Sequence, residues 1–534
     1  MVKKIRKEMK TSITKILSNS SLDDLAGQLF CPAAFINDDA EGIRQIETLI
    51  REHKIGGLTF FHSRASAATN YEKKEVIAYR DSLEKLKSLI AHYQSLSEIP
   101  LLISIDAEWG LAMRVENTPC YPYAITLGAM PEEGDDLIYQ AALQMGKDLK
   151  SVGIDYNLAP VVDINSNPDN PVIGYRSFGE SRENVTRKAA AFCRGLADAG
   201  ILNSLKHFPG HGDTAVDSHL GLPVIKRSRA EMLKEDLAPF RALIDRGVDS
   251  VMVGHLAVPA LSGHETLPAT LSEKIIKGLL REEFGFDGVV ISDALNMHSV
   301  CKIYSEKGIL EQKAFEAGND ILCFSEHIAE GKNKILDHCG ESAIKDSVAR
   351  ILAMKEKVGL LQKKERQGAP DLVRASKINR EIAALSMIRL SEQPSATDIP
   401  DTFVCIGAHE KENGFLEELR KTKRITTIRV EENTGSLKLS TRDPIAIALY
   451  PPNIKPHSNF GISPDNLELI EQLLNRHRVT LLLFGNPYAI RVITSLHKAY
   501  DVIVSGQDLP EFQTTAARVL KGDLQAKGQM PFHL

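Results

Sequence analysis

At 534 residues the chain is too long for one ordinary domain, and two domains is the simplest division. Its 43% hydrophobic and 25% charged residues are those of an ordinary globular protein. A formal net charge of −5 and a single Trp provide neither an electrostatic footprint for nucleic acid or an anionic membrane surface nor a stacking platform for single strands.

Seven cysteines (31, 120, 193, 301, 323, 339 and 405) are scattered singly. With no Cys-x-x-Cys pair, they argue against a zinc ribbon or redox motif. Reduced thiols and a cytoplasmic setting are expected. Residues 1–15 are basic without an apolar core, so no signal peptide is visible. A chain that had lost one would be periplasmic or secreted. No apolar run approaches the roughly 20 residues of a membrane helix.

In chain order, residues 22–30 open on an apolar pattern that leads to Cys31-Pro32-Ala33-Ala34-Phe35. Helical spacing is expected over 41–52, 73–96, 135–152, 183–199, 231–246, 272–284, 308–317 and 344–361. Short apolar runs that read as buried strands fall at 55–61, 101–105, 154–162, 202–205, 248–253, 288–292 and 321–324. Strand and helix thus alternate about eight times, which predicts a parallel (β/α)₈ barrel of the TIM type. A doubly wound open sheet is the weaker alternative. Asp106, Asp163, His207, His255 and Asp293 all follow strand candidates, and strand C-terminal ends converge on the face where barrel active sites sit.

The barrel domain is expected over 1–361 and a charged linker over 362–378. A smaller doubly wound α/β sandwich domain follows over 379–534, with strands at 403–406, 425–430, 445–450, 479–484 and 502–504 and helices at 466–475 and 510–520. No Gly-x-Gly-x-x-Gly follows any of these strands, so a dinucleotide site there is unsupported.

The densest chemistry lies in 206–219, read as a long loop leaving a strand: Lys206-His207-Phe208-Pro209-Gly210-His211-Gly212-Asp213 through Asp217-Ser218-His219. One reading is a metal site built from His207, His211, Asp213, Asp217 and His219. Against it, a His-x3-His pair is useful mainly on a helix, and Pro209, Gly210 and Gly212 break one. A second reading is acid/base work. Asp217 and His219 are two apart, so an extended backbone points both to one side, where the carboxylate fixes the imidazole tautomer and raises its pKa. The bland reading is a solvated loop. Asp293 ends a strand run and is placed for chemistry, or it caps a following helix. Asp106 carries the same two readings.

The loop resembles the signature of glycoside hydrolase family 3, in its β-N-acetylhexosaminidase branch. Ile105-Asp106-Ala107-Glu108-Trp109-Gly110, Asn157-Leu158-Ala159-Pro160-Val161-Val162-Asp163, Arg176-Ser177-Phe178-Gly179 and Ser292-Asp293-Ala294-Leu295 resemble its other blocks, in the same order. The resemblance spans roughly 22–324 and implies a (β/α)₈ barrel, often followed by an α/β sandwich. It implies that Asp293 is the nucleophile, His219 the acid/base and Asp217 its partner. It also implies that Asp106, Arg114, Arg176, Lys206 and His207 bind the terminal N-acetylglucosamine. Trp109, where many members have Gly, and Tyr121-Pro122-Tyr123 depart from the commonest pattern and bear on aglycone preference.

The expectation is a retaining exo-β-N-acetylglucosaminidase acting on muropeptides from cell-wall recycling, with no metal or organic cofactor and no nucleic-acid or membrane partner. A phosphorylase is the runner-up, because a neutral histidine repels incoming phosphate less than a carboxylate does. A catalytically silent sugar-binding protein is the reading from another class, and intact Asp293 and His219 argue against it.

Overall fold

The computed structural model describes residues 12–63, 81–214, 221–362, 368–390, 399–407, 413–430 and 443–534. Contacts divide the chain into two compact units. One is Met1–Cys120, Ala142–Asp163 and Phe192–Leu372; the other is Tyr121–Ala141, Ile164–Ala191 and Val373–Leu534. The division cuts across the chain order from which the sequence boundaries were drawn. Residues 372–378, expected in the linker, begin the helix Leu372–Ser386, which buries Ala375, Ile378 and Ile382.

The first unit is built on parallel strands β1 (Phe30–Cys31), β2 (Ala33–Phe35), β3 (Gly57–Phe61), β4 (Leu102–Ile105), β5 (Tyr156–Asn157), β6 (Leu202–Phe208), β7 (Ser250–Val253), β8 (Val289–Ser292) and β9 (Leu322–Cys323). β2 to β8 pair in sequence order. β8 continues to the last strand through an Ile291–Ile321 bridge, and β9 pairs back onto β1 with Phe30 opposite Leu322. β1 and β2 are one strand interrupted at Pro32. Pro32 has no N–H to donate, but its carbonyl still accepts from Thr59 N at 3.0 Å. Counted so, eight strands close a (β/α)₈ barrel, as expected.

Sequence reading missed this first strand because Pro32 splits an already short apolar run. A proline also shortens the run expected at 154–162. Only Tyr156–Asn157 is regular strand, and Pro160 in the following stretch has no ladder donor. The opposite error occurs at β6. The apolar run predicts an end near Leu205, yet the strand continues to Phe208, with an irregular register against β7 between Leu205 and Phe208. Lys206 and His207 therefore stand on the strand, not in a loop.

The strands are buried on both faces, as an all-parallel sheet wrapped by helices requires. Inside the barrel a polar layer satisfies itself. Thr59 Oγ1 and Ser104 Oγ are 2.8 Å apart, and Tyr156 OH meets Ser250 Oγ at 2.5 Å, while Ser250 Oγ donates to Asn203 O. Helices Ala40–His53, Arg182–Ala199 and Glu341–Lys357 lie close to expectation. The one expected over 231–246 is instead two, Arg229–Lys234 and Ala238–Ile244. Pro239 cannot bond the carbonyl of Glu235 and would collide with it, so the first helix must end there. A capping box of Ser228 and Glu231 fixes its start.

The second unit carries β10 (Ile388–Arg389), β11 (Thr402–Ile406), β12 (Thr426–Val430), β13 (Ile445–Leu449), β14 (Val479–Leu483) and β15 (Asp501–Val504). Its strand order is β10-β15-β14-β13-β11-β12, parallel except for β10. The parallel part has the flavodoxin-like doubly wound order. Its core joins Ile447, Leu481 and Leu483 of the sheet to Ile470, Tyr488 and Phe532. Among the described residues, no helix is long and apolar enough to cross a membrane.

Candidate active site

Strand ends in the first unit bring together most of the side chains singled out by sequence. Asp106 follows β4, Lys206 and His207 end β6, His255 follows β7, and Asp293 follows β8. Lys206 is almost fully buried, and its Nζ donates to Asp106 Oδ1 at 2.9 Å and lies 2.8 Å from Glu108 Oε1. Arg114 Nη2 donates to Asp106 Oδ2 at 2.9 Å, and its guanidinium lies over the Phe61 ring, 5.3 Å from the centroid. Burial alone would raise the Asp106 carboxyl. The adjacent Lys206 and Arg114 outweigh it and hold Asp106 well below the usual carboxylate range. A permanently ionised acceptor between two cations is a strong, oriented partner for sugar hydroxyls. Asp106 therefore pairs with cations across the barrel, and the capping alternative falls away.

A second cluster surrounds Asp163, which is fully buried. It accepts from the backbone N–H of His207 and of His211, and His207 Nδ1 lies 2.8 Å from its Oδ2. Burial opposes ionisation, but His207 and His211 together keep the carboxyl below its ordinary range. An anion at that distance takes the Nδ1–H of His207 and so sets its tautomer. The His211 ring lies 5.7 Å from that of His207. Thr214 Oγ1 donates to His211 O and so accepts from His211 Nδ1, 2.8 Å away. Burial, then the neighbouring His207, push His211 down to about 4, so it is a neutral imidazole near pH 7.

Asp293 is half-buried; its N–H donates to Val253 O, and its Oδ1 accepts from Ala294 N at 2.8 Å. The next helix begins only at Ile309, so Asp293 caps no helix there. The buried thiol of Cys323 lies in the field of both carboxylates. Burial first, and then the charges of Cys31, Asp106 and Asp293, push it well above its ordinary value.

Arg227 bridges two carboxylates. Its Nε donates to Asp213 Oδ2 at 3.1 Å and its Nη1 to Asp236 Oδ2 at 3.0 Å. Burial pushes Asp236 up to about 6 in spite of that partner. Asp217 and His219 lie outside the described residues. Arg176 belongs to the second unit, at the end of the turn Gly174–Arg176, where Nη1 donates to Val172 O. Among the described residues, no group of three or more His, Cys, Asp or Glu is arranged to hold a metal ion.

Three features escaped sequence reading. Glu108 shares Lys206 with Asp106, although its place two residues after Asp106 was a usable signal. Phe35, Phe61 and Phe324 pack together at the ends of β2, β3 and β9, with centroids 5.2 Å apart for Phe61 and Phe324. For His255 the sequence shows only its place after a strand. Its Nε2 lies 2.9 Å from Ala294 O and its Nδ1 2.8 Å from Thr270 Oγ1, so it braces the peptide that follows Asp293.

Fold and site together define a closed (β/α)₈-barrel protein with a carboxylate- and cation-rich C-terminal face. Residues 21–354 match the glycosyl hydrolase family 3 N-terminal domain, and the chain belongs to that family. Beta-hexosaminidase A of Pseudoalteromonas piscicida is 33% identical over 341 residues, a match spanning 59% of this chain and 55% of that protein. A beta-hexosaminidase of Neisseria meningitidis (serogroup C, strain FAM18) is 38% identical over 250 residues, covering 45% of this chain and 67% of its own. Among solved structures, a glycoside hydrolase family 3 beta-N-acetylglucosaminidase from Paenibacillus sp. FPU-7 superposes with a TM-score of 0.78 at 28% identity, covering 96% of this chain and 99% of that one. Beta-glucoside phosphorylase BglX, at 22% identity, shares the fold with a TM-score of 0.79 over 99% of this chain and 96% of that one.

Proposed function

We propose that the protein is a retaining exo-β-N-acetylglucosaminidase. It removes terminal non-reducing N-acetyl-β-glucosamine, and muropeptides of cell-wall turnover in the cytoplasm are its substrates. One observation carries the reading. Asp293 stands at the end of β8, on the barrel face that also holds the Asp106–Lys206–Arg114 cluster. Beta-hexosaminidase relatives and the structural similarity to a beta-N-acetylglucosaminidase support it.

Asp106, Arg114, Lys206, His207 and Arg176 orient the terminal sugar through charge-assisted hydrogen bonds. Asp293 attacks the anomeric carbon and forms a glycosyl ester, while His219 gives its proton to the leaving oxygen. The now neutral His219 takes a proton from water, which attacks the ester and regenerates Asp293. Two inversions return the original configuration. Asp217 beside His219 favours the imidazolium needed for the first step.

A fluorinated slow substrate that keeps the 2-acetamido group should leave a glycosyl ester on the peptide carrying Asp293, read by mass spectrometry. A label elsewhere, or none while turnover continues, would sink the assignment. His219→Ala should slow alkyl and sugar aglycones far more than 2,4-dinitrophenyl, with azide restoring turnover; equal slowing of all aglycones removes His219 as the acid/base. Product analysis on 4-nitrophenyl N-acetyl-β-glucosaminide with added phosphate should give free N-acetylglucosamine, and a sugar 1-phosphate instead would make the enzyme a phosphorylase.

A further inference from the structure

The second unit contains the turn that presents Arg176, and its sheet domain holds that turn in place. Asn165, 1% exposed, works in both directions. Its Oδ1 accepts from Gly174 N at 3.0 Å, and its Nδ2 donates to Tyr488 OH at 2.8 Å. Tyr488 comes from the segment Pro487–Val492 that follows β14. Its ring is stacked on Phe532, with centroids 3.9 Å apart and planes 13° from parallel. Asn486 fixes it from behind, accepting from Tyr488 N and donating to Ile454 O.

The rest of the turn is similarly constrained. Asn170 Oδ1 takes the N–H groups of Val172 and Ile173 at 2.9 and 2.8 Å. Tyr175 packs edge-on against Tyr123 at 5.0 Å. Beyond Arg176, Gly179 at φ +126° lets the chain pass so close to Pro531 that a Cβ would stand 2.4 Å from its carbonyl oxygen. Glu180 N donates to that same oxygen.

We propose that Tyr488 is a positioning residue for sugar binding: through Asn165 it sets the Gly174–Arg176 turn and hence the direction of the Arg176 guanidinium. The doubly wound domain thereby tunes substrate affinity without contributing a catalytic residue. The inference rests on the reading of Arg176 as a sugar-binding residue.

The physical basis is local. A hydroxyl and an amide, both buried, are each other's partner, and losing one leaves the other unsatisfied and its loop free to shift. Tyr488→Phe removes only the hydroxyl and keeps the ring on Phe532. It should raise KM for 4-nitrophenyl N-acetyl-β-glucosaminide about two- to tenfold, the scale of one buried hydrogen bond, with kcat changed less. Asn165→Ala should do the same from the other side and serves if Tyr488→Phe folds poorly. Hydrogen exchange in the peptide spanning 172–178 should quicken in either variant, while β11 and β13 keep their protection.

The deciding arm is a double-mutant cycle. Arg176→Ala should raise KM more than Tyr488→Phe does, and adding Tyr488→Phe to it should raise KM no further. If the two effects multiply, or if Tyr488→Phe leaves KM unchanged, Tyr488 does not act through Arg176 and the proposal fails while the function stands. If Arg176→Ala itself leaves KM unchanged, the sugar-binding role assigned to Arg176 fails, and this inference with it.

Discussion

His211 makes the barrel's stability depend on pH, because burial keeps its imidazole from taking up a proton. The imidazole is buried and its pKa is pushed from the usual 6.5 down to about 4, by burial first and then by the neighbouring His207. Here the folded state disfavours the charged form. Between those two values the unfolded chain binds a proton that the folded chain refuses, so stability falls as pH is lowered through the window. The loss is complete only below the folded pKa. At pH 4.5 the downward shift amounts to a loss on the order of 2–3 kcal/mol relative to pH 7.5 from this residue alone. His211→Asn removes the titration and keeps a side-chain N–H for Thr214 Oγ1. Urea unfolding followed by Trp fluorescence suits the test, because the single tryptophan, Trp109, lies in the barrel unit. Both proteins lose stability on acidification as other groups titrate, but the variant should lose roughly 2–3 kcal/mol less between pH 7.5 and 4.5. Equal losses would refute the reasoning, as would an imidazole that titrates near 6.5 by NMR.

Two further substitutions test the remaining parts of the face. Lys206→Met strips the buried cation shared by Asp106 and Glu108, which leaves carboxylates facing one another; the barrel should lose about 3–5 kcal/mol in the same urea assay. A loss under about 1 kcal/mol, the range of an exposed pair, would mean that water already screens the site. His255→Phe removes the donor to Ala294 O, so Asp293 loses its brace, and kcat on the 4-nitrophenyl substrate should fall up to about a hundredfold with KM little changed; an unchanged kcat would show that His255 only fills space.

Much of the barrel was legible because its signals are local. Each strand is a short apolar run with a polar residue at its end, and each helix repeats its apolar face, so periodicity and alternation alone carry the architecture. The doubly wound domain was equally plain: all five parallel strands fall within one residue of their expected starts. Where the reading failed, proline was usually the reason. Pro32 concealed the first strand, Pro160 cut β5 short, and Pro239 split a helix that periodicity alone would have kept whole.

The sequence by itself determined the barrel, the order of its chemical blocks and the identity of the groups at its strand ends, since these depend on residue type and spacing along the chain. Tertiary structure alone decided how those groups share charge. Lys206 is 100 residues from Asp106 in sequence and 2.9 Å from it in space, and Asp163 collects partners 44 and 48 residues away. No local pattern encodes such distances. Only barrel closure, which places the ends of successive strands around one mouth, sets which carboxylate meets which cation and which imidazole stays neutral. The same holds for Asn165 and Tyr488, separated by 323 residues and joined at 2.8 Å. The sequence names both residues, but only packing makes one hold the other, because a hydrogen bond buried in a core depends on position in space and not on distance along the chain.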